Sequence, residues 1–213
     1  MFTEQGLAVR ASLSDHTVAR SGAGKDALAL AKGDWVAAVF SGDDAPYYLL
    51  VSEGGEIKRI PAKTIANAHP TGIICCKVPD GDRLVAVVPH DDADEVLIAK
   101  AAGQVLRIET EAKLRPVPTG AAGMVAGVKL ESGDRVVCAV KAEGTSLLTV
   151  HVSGMGLAVP LAEYPVKGRA TGGVQSVFTD RPAKFPAGEV AMIACQGPRA
   201  RSNCSLTGVA STG

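Results

Sequence analysis

The sequence has no excess charge of either sign, because 22 Lys and Arg residues balance 22 Asp and Glu residues. A general attraction to nucleic acid or to a membrane is therefore not expected, and any attraction must come from local segregation of charge. The opening stretch MFTEQGLAVR lacks the charged and then apolar plan of a signal peptide, and no apolar run is long enough to span a membrane. We expect a cytoplasmic protein without membrane contact.

The sequence also lacks the motifs of metal, disulfide and catalytic sites. No C-x-x-C pair occurs, which favours unpaired thiols over a disulfide framework or a zinc site; the cysteines are Cys75, Cys76, Cys138, Cys195 and Cys204. The four histidines show no metal-binding spacing, and the acidic stretch His90–Glu95 lacks the alternation of a calcium loop. No G-x-S-x-G elbow is present. We therefore expect no cofactor and no catalytic group.

One glycine-rich stretch, ARSGAGKD from Ala19 to Asp26, has the general look of a phosphate-binding loop. A Walker loop needs a glycine where Ala19 stands and a hydroxyl where Asp26 stands, and a carboxylate there would repel a triphosphate. The residues that follow are also too few for the helix such a loop requires. A nucleotide site is therefore not predicted.

Glycine-marked repeats are the main feature that is present. The pattern Gly-x-x-x-Arg begins at Gly6, Gly55 and Gly103, with a weaker copy at Gly154 and a fifth at Gly197, mostly at intervals of about 50 residues. Gly-Asp followed by an apolar run recurs at a similar interval, and so does a glycine loop that leads into another apolar run. Aromatic residues are scarce at 4%, and the 24 glycines separate short apolar runs. This pattern is typical of short strands joined by turns.

The repeats predict an all-β, propeller-like disc of four-stranded blades, because one blade alone cannot bury both of its faces. We expect one domain over residues 1–213 with about four to five blades. The repeats run approximately over 1–48, 49–96, 97–147 and 148–196, with a partial blade at 197–213.

Charge is segregated within each repeat. Acidic residues concentrate in some connections, such as those with Asp43, Asp44 and Asp91. Basic residues concentrate in the hairpins and glycine loops, which in a ring of blades occupy equivalent rims. The candidate DNA-binding residues are Arg10, Arg20, Lys25, Lys58, Arg59, Lys63, Arg107, Lys113, Arg115, Lys167 and Arg169.

The segment Gly154–Val174, GMGLAVPLAEYPVKGRATGGV, resembles the blade signature of the C-terminal domain of bacterial type IIA topoisomerase A subunits, that is, of gyrase A and topoisomerase IV A. The family's hairpin is followed by an A-E-Y/F-P turn, here Ala162–Pro165, and by an R-x-x-x-G-V loop, here Arg169–Val174. The pieces GEIKR, GQVLR and GVKLESGDRVV resemble the family's other repeats. The resemblance covers nearly the whole chain.

This resemblance implies a β-pinwheel whose basic perimeter binds and bends duplex DNA without reading its sequence. It implies as partners a topoisomerase core in the same polypeptide and its ATPase subunit, in the cytoplasm at the nucleoid. The number of repeats is nearer the topoisomerase IV type. The position of the family's DNA-wrapping box falls on Ala19–Lys25, where Arg20, Gly22 and Lys25 keep part of its character.

The resemblance also implies that the chain alone is not an enzyme. The family cuts DNA with a tyrosine that follows an arginine, and none of the three tyrosines follows one. An alternative from the residues themselves is a propeller-like protein-interaction module without DNA binding, which the zero net charge favours.

Overall fold

The computed structural model describes residues 1–41, 45–69, 71–110, 114–118, 122–177 and 188–196. Short antiparallel strands dominate these residues. They are β1 Phe2–Thr3, β2 Leu7–Ala8, β3 Val36–Ala38, β4 Tyr47–Ser52, β5 Glu56–Pro61, β6 Ile73–Ile74, β7 Leu84–His90, β8 Glu95–Lys100, β9 Gln104–Glu109, β10 Val125–Ala126, β11 Val136–Lys141, β12 Ser146–His151, β13 Gly156–Pro160, β14 Val166–Lys167, β15 Val174–Gln175 and β16 Val190–Gln196. Single 3₁₀ turns lie at Leu13–His16, Ala62–Ile65 and Leu161–Glu163. No helix in the described ranges is long and apolar enough to cross a membrane.

The strands form four sheets, which we call blades 1 to 4. Blade 1 has the strand order β3-β1-β2-β6, and blade 2 has the order β7-β4-β5-β10. Blade 3 contains β11-β8-β9 with β14 and β15 both paired to β9, and blade 4 contains β16-β12-β13. Each blade is thus built on one hairpin: β1–β2, β4–β5, β8–β9 or β12–β13.

Consecutive blades exchange strands. The strands β6, β10 and β15 each follow the hairpin of their own repeat but pair with the hairpin of the preceding blade. We call these three the exchanged strands. We call β3, β7, β11 and β16 the inner strands, because they pack against one another from blade to blade. The sequence repeat is therefore not a blade, since repeats 2 and 3 each supply three strands to their own blade and one to the blade before it, and repeat 4 supplies three and two.

The glycine of the Gly-x-x-x-Arg pattern is what allows this exchange. Gly55 turns the hairpin with φ +82°, a conformation that side chains with a Cβ rarely adopt. Its carbonyl accepts backbone N–H bonds from Gly127 and Val128 of the next repeat, at 3.0 and 2.9 Å. A Cβ at Gly55 would lie 3.0 Å from the carbonyl oxygen of Val128. The carbonyls of Gly6 and Gly103 likewise each accept two backbone N–H bonds from the next repeat.

In blades 1 to 3 the aspartate of the Gly-Asp pattern binds the start of the inner strand to the hairpin turn of the same blade. Asp82 Oδ1 accepts the N–H of Gly54 in the hairpin turn at 2.9 Å and that of Arg83 at 2.7 Å. Asp34 and Asp134 bind the equivalent turns of blades 1 and 3 in the same way. The recurring carboxylate thus satisfies turn donors that have no partner in the sheet.

Hydrophobic cores fill the three spaces between neighbouring blades. Leu49 of blade 2 and Ile98 of blade 3 belong to one core, Phe2 and Tyr48 to the core between blades 1 and 2, and Leu97 to the core between blades 3 and 4. Strands in the middle blades are buried on both faces because each has a core on either side. No single blade could bury its apolar residues alone.

The predicted all-β, propeller-like class is confirmed, and the exchanged strands give it the pinwheel form. Four blades lie within the described residues, whereas the predicted partial blade at 197–213 lies outside them. Four of the cysteines are described, all as unpaired thiols; Cys75, Cys76 and Cys138 are buried and Cys195 is half-buried.

We expect the substitution Asp82→Ala to lower the free energy of unfolding by about 2 kcal/mol, because two backbone donors lose their acceptor. Asp80→Ala is the matched control, since Asp80 is an exposed aspartate two residues away in the same turn. Urea unfolding of both variants measures the difference. Equal stability of the two variants would show that the aspartate does not fasten the turn.

Candidate nucleic-acid interface

Exposed cations recur in the connection that follows the second strand of each hairpin. Arg10 follows β2, Lys63 follows β5, Arg115 follows β9 and Arg169 follows β13, and all four are exposed. The connections of repeats 2, 3 and 4 run from one blade to the exchanged strand on the edge of the preceding blade. Each of the four repeats thus has an exposed cation after its hairpin, at a distance from the hairpin glycine that differs from repeat to repeat.

Contacts show that several of these cations are neighbours. Arg10 and Lys63 line the same cleft between blades 1 and 2, and Lys63 also lines a second cleft with Pro116, which is adjacent to Arg115. The Arg169 guanidinium donates to the Ala126 carbonyl of exchanged strand β10 at 3.3 Å. The cations of repeats 1 to 3 thus lie along adjacent clefts, and Arg169 lies against the edge of blade 2.

The first repeat adds two more exposed cations, Arg20 and Lys25, from the glycine-rich stretch. The Lys25 ammonium donates to the Asp15 carbonyl at 2.9 Å, which holds the loop against the 3₁₀ turn. The residues of this loop form turns and bends and belong to no strand or helix.

Two of the candidate residues point into the protein. Lys58 is 3% exposed and Arg59 is 2% exposed. The Lys58 ammonium donates to the carbonyls of Cys75 and Ala122, at 3.0 and 2.8 Å. Burial lowers the pKa of Lys58, and the nearby Cys76 and Cys75 partly offset this. These two cations hold neighbouring repeats together and do not enter the interface that we propose.

Arg59 is bound on every side. Its Nε donates to His90 Nε2 at 3.0 Å, its Nη1 to the Leu114 carbonyl at 3.2 Å and its Nη2 to Asp92. The guanidinium carbon also lies 3.9 Å from the centre of the Tyr47 ring, within cation–π distance. Since Leu114 belongs to the next repeat, the arginine links two repeats.

Arg107 occupies the same position of the next repeat and makes the same kind of link. Its Nη1 donates to the carbonyls of Leu161 and Tyr164 in the following repeat, at 3.0 and 3.2 Å. It also forms an ion pair with Glu95 at 2.5 Å. In blades 2 and 3 the arginine of Gly-x-x-x-Arg therefore links its own repeat to the following one by hydrogen bonds. Arg10 of blade 1, in contrast, is exposed.

The remaining candidates differ in accessibility. Lys167 is half-buried and donates to the Gly173 carbonyl at 2.8 Å, which shapes the loop before β15. Lys113 lies outside the described residues. Sequence reasoning missed the exposed Lys32, Lys77 and Lys129, which precede the inner strands β3, β7 and β11.

The acidic residues are largely used within the protein. Asp82 and Asp134 accept hydrogen bonds from hairpin turns. Asp92 forms an ion pair with Arg59, and Glu95 forms one with Arg107. Exposed carboxylates also stand among the perimeter cations, at Asp15, Asp26 and Glu163. Asp43 and Asp44, predicted on the acidic side, lie outside the described ranges. The perimeter is therefore a mixed surface in which the recurring feature is the cation.

The exposed cations of the described residues form an electrostatic surface. No group of three or more His, Cys, Asp or Glu side chains is arranged for a metal ion in this part of the chain. Spaced guanidinium and ammonium groups along a curved perimeter can pair with a polyanion.

The four sheets and the strands exchanged between them define a β-propeller domain of the strand-exchanged pinwheel type. Residues 46–91 and 152–190 match the family described as DNA gyrase C-terminal domain, beta-propeller. The chain is also 37% identical over 78 residues to the A subunit of DNA gyrase from Aeromonas salmonicida, a stretch that covers 36% of this chain and 8% of that protein.

Solved structures share the fold over most of the chain. The C-terminal domain of DNA topoisomerase IV superposes with a TM-score of 0.73 and 18% identity, covering 91% of this chain and 61% of that domain. The DNA gyrase A C-terminal domain gives 0.71 and 20%, covering 89% and 62%. The E. coli ParC C-terminal domain gives 0.65 and 17%, covering 92% and 80%. These values support the fold and do not separate a topoisomerase IV type from a gyrase type.

We expect Arg59→Met to lower the free energy of unfolding by about 3 kcal/mol or more, because a buried carbonyl and a histidine lose their donor. Arg115→Met is the matched control, since Arg115 is exposed and should tolerate the change with little loss. Thermal and urea unfolding measure both variants. A stable Arg59→Met protein would mean that the arginine does not stabilise the contact between the two repeats.

We also expect His90 to make the fold sensitive to acid. Burial, and next the Arg59 charge, lower the pKa of His90 from its usual 6.5. Arg59 Nε can only donate, so His90 Nε2 accepts and the proton lies on Nδ1, which donates to the Val88 carbonyl at 3.1 Å. The unfolded chain takes up a proton more readily than the folded one, so this contribution to stability is complete above pH 6.5 and is lost as the pH falls through the folded pKa.

Urea unfolding at about pH 7.5 and about pH 5 tests this expectation. The wild type should lose more stability between the two values than His90→Gln, which cannot take up the proton. The exposed His69 supplies the control substitution, His69→Gln, which should keep the wild-type pH dependence. An unchanged pH dependence in His90→Gln would assign the acid sensitivity to other groups.

Proposed function

We propose that this chain binds duplex DNA without sequence preference, as the C-terminal domain of a type IIA topoisomerase A subunit. In this role it guides the DNA segment for strand passage. The proposed partners are a topoisomerase core of the same polypeptide and its ATPase subunit, and the nucleoid in the cytoplasm is the proposed location. The two segments that match the gyrase C-terminal domain family support the parentage.

The observation that carries the DNA proposal is that every described repeat has an exposed cation in the connection that follows its hairpin. These residues are Arg10, Lys63, Arg115 and Arg169. Duplex DNA repeats its charge along its length, so a perimeter that repeats its cations from blade to blade matches it. Arg20 and Lys25 extend the series in the first repeat.

Such contacts position DNA but carry no sequence information, since guanidinium and ammonium groups reach phosphates and not base edges. Each neutralised phosphate releases counterions, so binding weakens steeply as salt rises. Bending a duplex around the perimeter costs several kcal/mol, roughly 1 to 6 by elastic estimates. Contacts must therefore recur over an arc, and the four repeats supply that recurrence.

The mixed perimeter favours guiding and bending over tight wrapping. Exposed Asp15 and Asp26 flank the first-repeat cations, and Glu163 lies near Arg169 in the fourth repeat. Together with the incomplete box at Ala19–Lys25, this charge balance leads us to infer the topoisomerase IV type of activity. DNA cleavage and any coupling to ATP are assigned to other parts of the parent enzyme, and no cofactor is assigned to this chain.

The DNA proposal is tested by replacing three perimeter cations together, Lys63→Gln, Arg115→Gln and Arg169→Gln. We expect weaker duplex binding and a slope of log affinity against log salt that is smaller by up to about 2.7, since each lost phosphate contact removes about 0.9. Fluorescence anisotropy with a labelled duplex over a salt series measures the slope, and gel mobility of permuted fragments measures bending.

A matched triple variant separates the perimeter from net charge alone. Lys32→Gln, Lys77→Gln and Lys129→Gln remove the same charge from exposed residues that precede the inner strands. This control should keep most of the wild-type slope. Equal effects of the two triples would contradict a perimeter site, and absence of duplex binding at low salt would favour the protein-interaction alternative.

A further inference from the structure

A chain of ion pairs crosses the four blades where the hairpin turns meet the starts of the inner strands. Arg83 of blade 2 pairs with Glu4 of blade 1 at 3.3 Å and with Glu53 of its own blade at 3.1 Å. Arg135 of blade 3 pairs with the same Glu53 at 3.5 Å and with Glu189 of blade 4 at 2.5 Å. We call these five alternating charges the ion-pair ladder, in the order Glu4, Arg83, Glu53, Arg135 and Glu189.

Two contacts within the ladder are bidentate. Arg83 Nε and Nη2 donate to the two carboxylate oxygens of Glu53, both at 3.1 Å. Arg135 Nη1 and Nη2 donate to those of Glu189, at 2.9 and 2.5 Å. The bonds from Arg135 lower the pKa of Glu189, and the bonds to Glu53 raise the pKa of Arg83. A planar fork of this kind holds a guanidinium in one orientation, so the arginines have little freedom to turn.

The ladder lies beside the backbone bonds that join successive blades. Leu84, the residue after Arg83, donates its N–H to the Glu4 carbonyl at 2.9 Å. Val136 of blade 3 donates to the Glu53 carbonyl at 2.9 Å in the same way. Both apolar residues are buried beneath the charged ones. The ion pair and the backbone bond therefore hold the same two blades at the same point.

Between blades 3 and 4 a different residue keeps the alternation. The hairpin of blade 3 has Ala101 at the position that Glu4 and Glu53 occupy in blades 1 and 2. Val190 still donates its N–H to the Ala101 carbonyl, at 3.0 Å. The residue before Val190 is Glu189, which stands where the inner strands of blades 2 and 3 have an arginine. A carboxylate from the next inner strand thus takes the place of one from the hairpin, and the charges still alternate.

Sharing of side chains distinguishes the ladder from separate surface pairs. A single half-exposed ion pair contributes little, because the cost of ordering two long side chains offsets most of its attraction. In the ladder, Glu53 is ordered once and serves both Arg83 and Arg135, and each arginine is held by two carboxylates. The ordering cost per pair is therefore lower, and the pairs stabilise the blades as a network.

We propose that the five side chains of the ladder are positioning residues for the DNA perimeter: by joining blades 1 to 4, they fix the angle between successive blades and thus the spacing of the perimeter cations. A bent duplex resists its curvature, and blades that could turn would relax that strain by opening. The ladder acts through the arrangement of the blades and not through contact with DNA. The DNA part rests on the proposed function, whereas the joining of the blades does not.

Urea unfolding of the full chain tests the central position. Glu53→Gln removes the carboxylate that both arginines share and should raise the unfolding equilibrium constant about thirtyfold, whereas Glu4→Gln should raise it about fivefold. Glu131→Gln is the matched control, since Glu131 is an exposed glutamate in the connection before β11, and should change the constant by about twofold at most. An effect of Glu53→Gln no larger than that of the control would overturn the proposal.

Charge exchange tests whether the arginines are shared. The double variant Glu4→Arg and Arg83→Glu keeps an opposite pair but sets the carboxylate introduced at position 83 against Glu53. If Arg83 served Glu4 alone, this exchange would be neutral; the ladder predicts an unfolding constant that stays about tenfold above the wild type. Adding Glu53→Arg, Arg135→Glu and Glu189→Arg restores the alternation and should lower the constant again. A neutral double variant, or a complete inversion without recovery, would overturn the ladder.

Duplex bending tests the positioning role. Glu53→Gln, under conditions in which circular dichroism shows it folded, should keep close to the wild-type salt slope, because no perimeter cation is removed. It should bend permuted duplex fragments less than the wild type and Glu131→Gln do. An unchanged bend would overturn the positioning role and leave the proposed function intact. A wild type that binds no duplex at low salt would overturn both, and the unfolding data would still decide whether the ladder joins the blades.

Discussion

The structure depends on the backbone hydrogen bonds that the hairpin glycines make to the next repeat. The carbonyls of Gly6, Gly55 and Gly103 each accept two N–H groups from the chain that follows an exchanged strand. These bonds require a positive φ and leave no room for a side chain, so only glycine serves. Because blades 1 to 3 each take a strand from the following repeat, each of these blades is incomplete until the next repeat folds. Stability and curvature are therefore properties of the series of repeats and not of any one of them.

This arrangement sorts the cations into two roles. Where the second hairpin strand is long and its blade is enclosed on both faces, the arginine of Gly-x-x-x-Arg turns inward, as Arg59 and Arg107 do. Where the chain leaves the hairpin and crosses to the next blade, nothing covers it, so Lys63 and Arg115 face the solvent. A buried guanidinium must be fully bonded, and it gains strength in the low dielectric of the joint. An exposed one keeps its water and can exchange it for a phosphate.

The contacts between neighbouring blades keep one backbone bond but differ in charge. Leu84 of blade 2 donates its N–H to the Glu4 carbonyl of blade 1 at 2.9 Å, and Val190 of blade 4 donates to the Ala101 carbonyl of blade 3 at 3.0 Å. An ion pair between Arg83 and Glu4 at 3.3 Å accompanies the first of these bonds, whereas the second has an alanine where the glutamate stands. The backbone bond is therefore the constant part of the contact between blades, and the ion pair is an addition to it.

Glycine spacing and the alternation of short apolar runs determined the class of fold from the sequence alone, since a turn with positive φ has a composition that is visible without coordinates. The repeat length of about 50 residues and the recurrence of Gly-Asp before an apolar run were accessible in the same way. The sequence could not decide which cations are exposed, because Arg10, Arg59 and Arg107 share one motif, yet blade neighbours bury one, half-bury another and leave the first on the surface. It also could not show that Trp35 is exposed. Burial is set by which repeat packs on which, and that is a property of the tertiary structure.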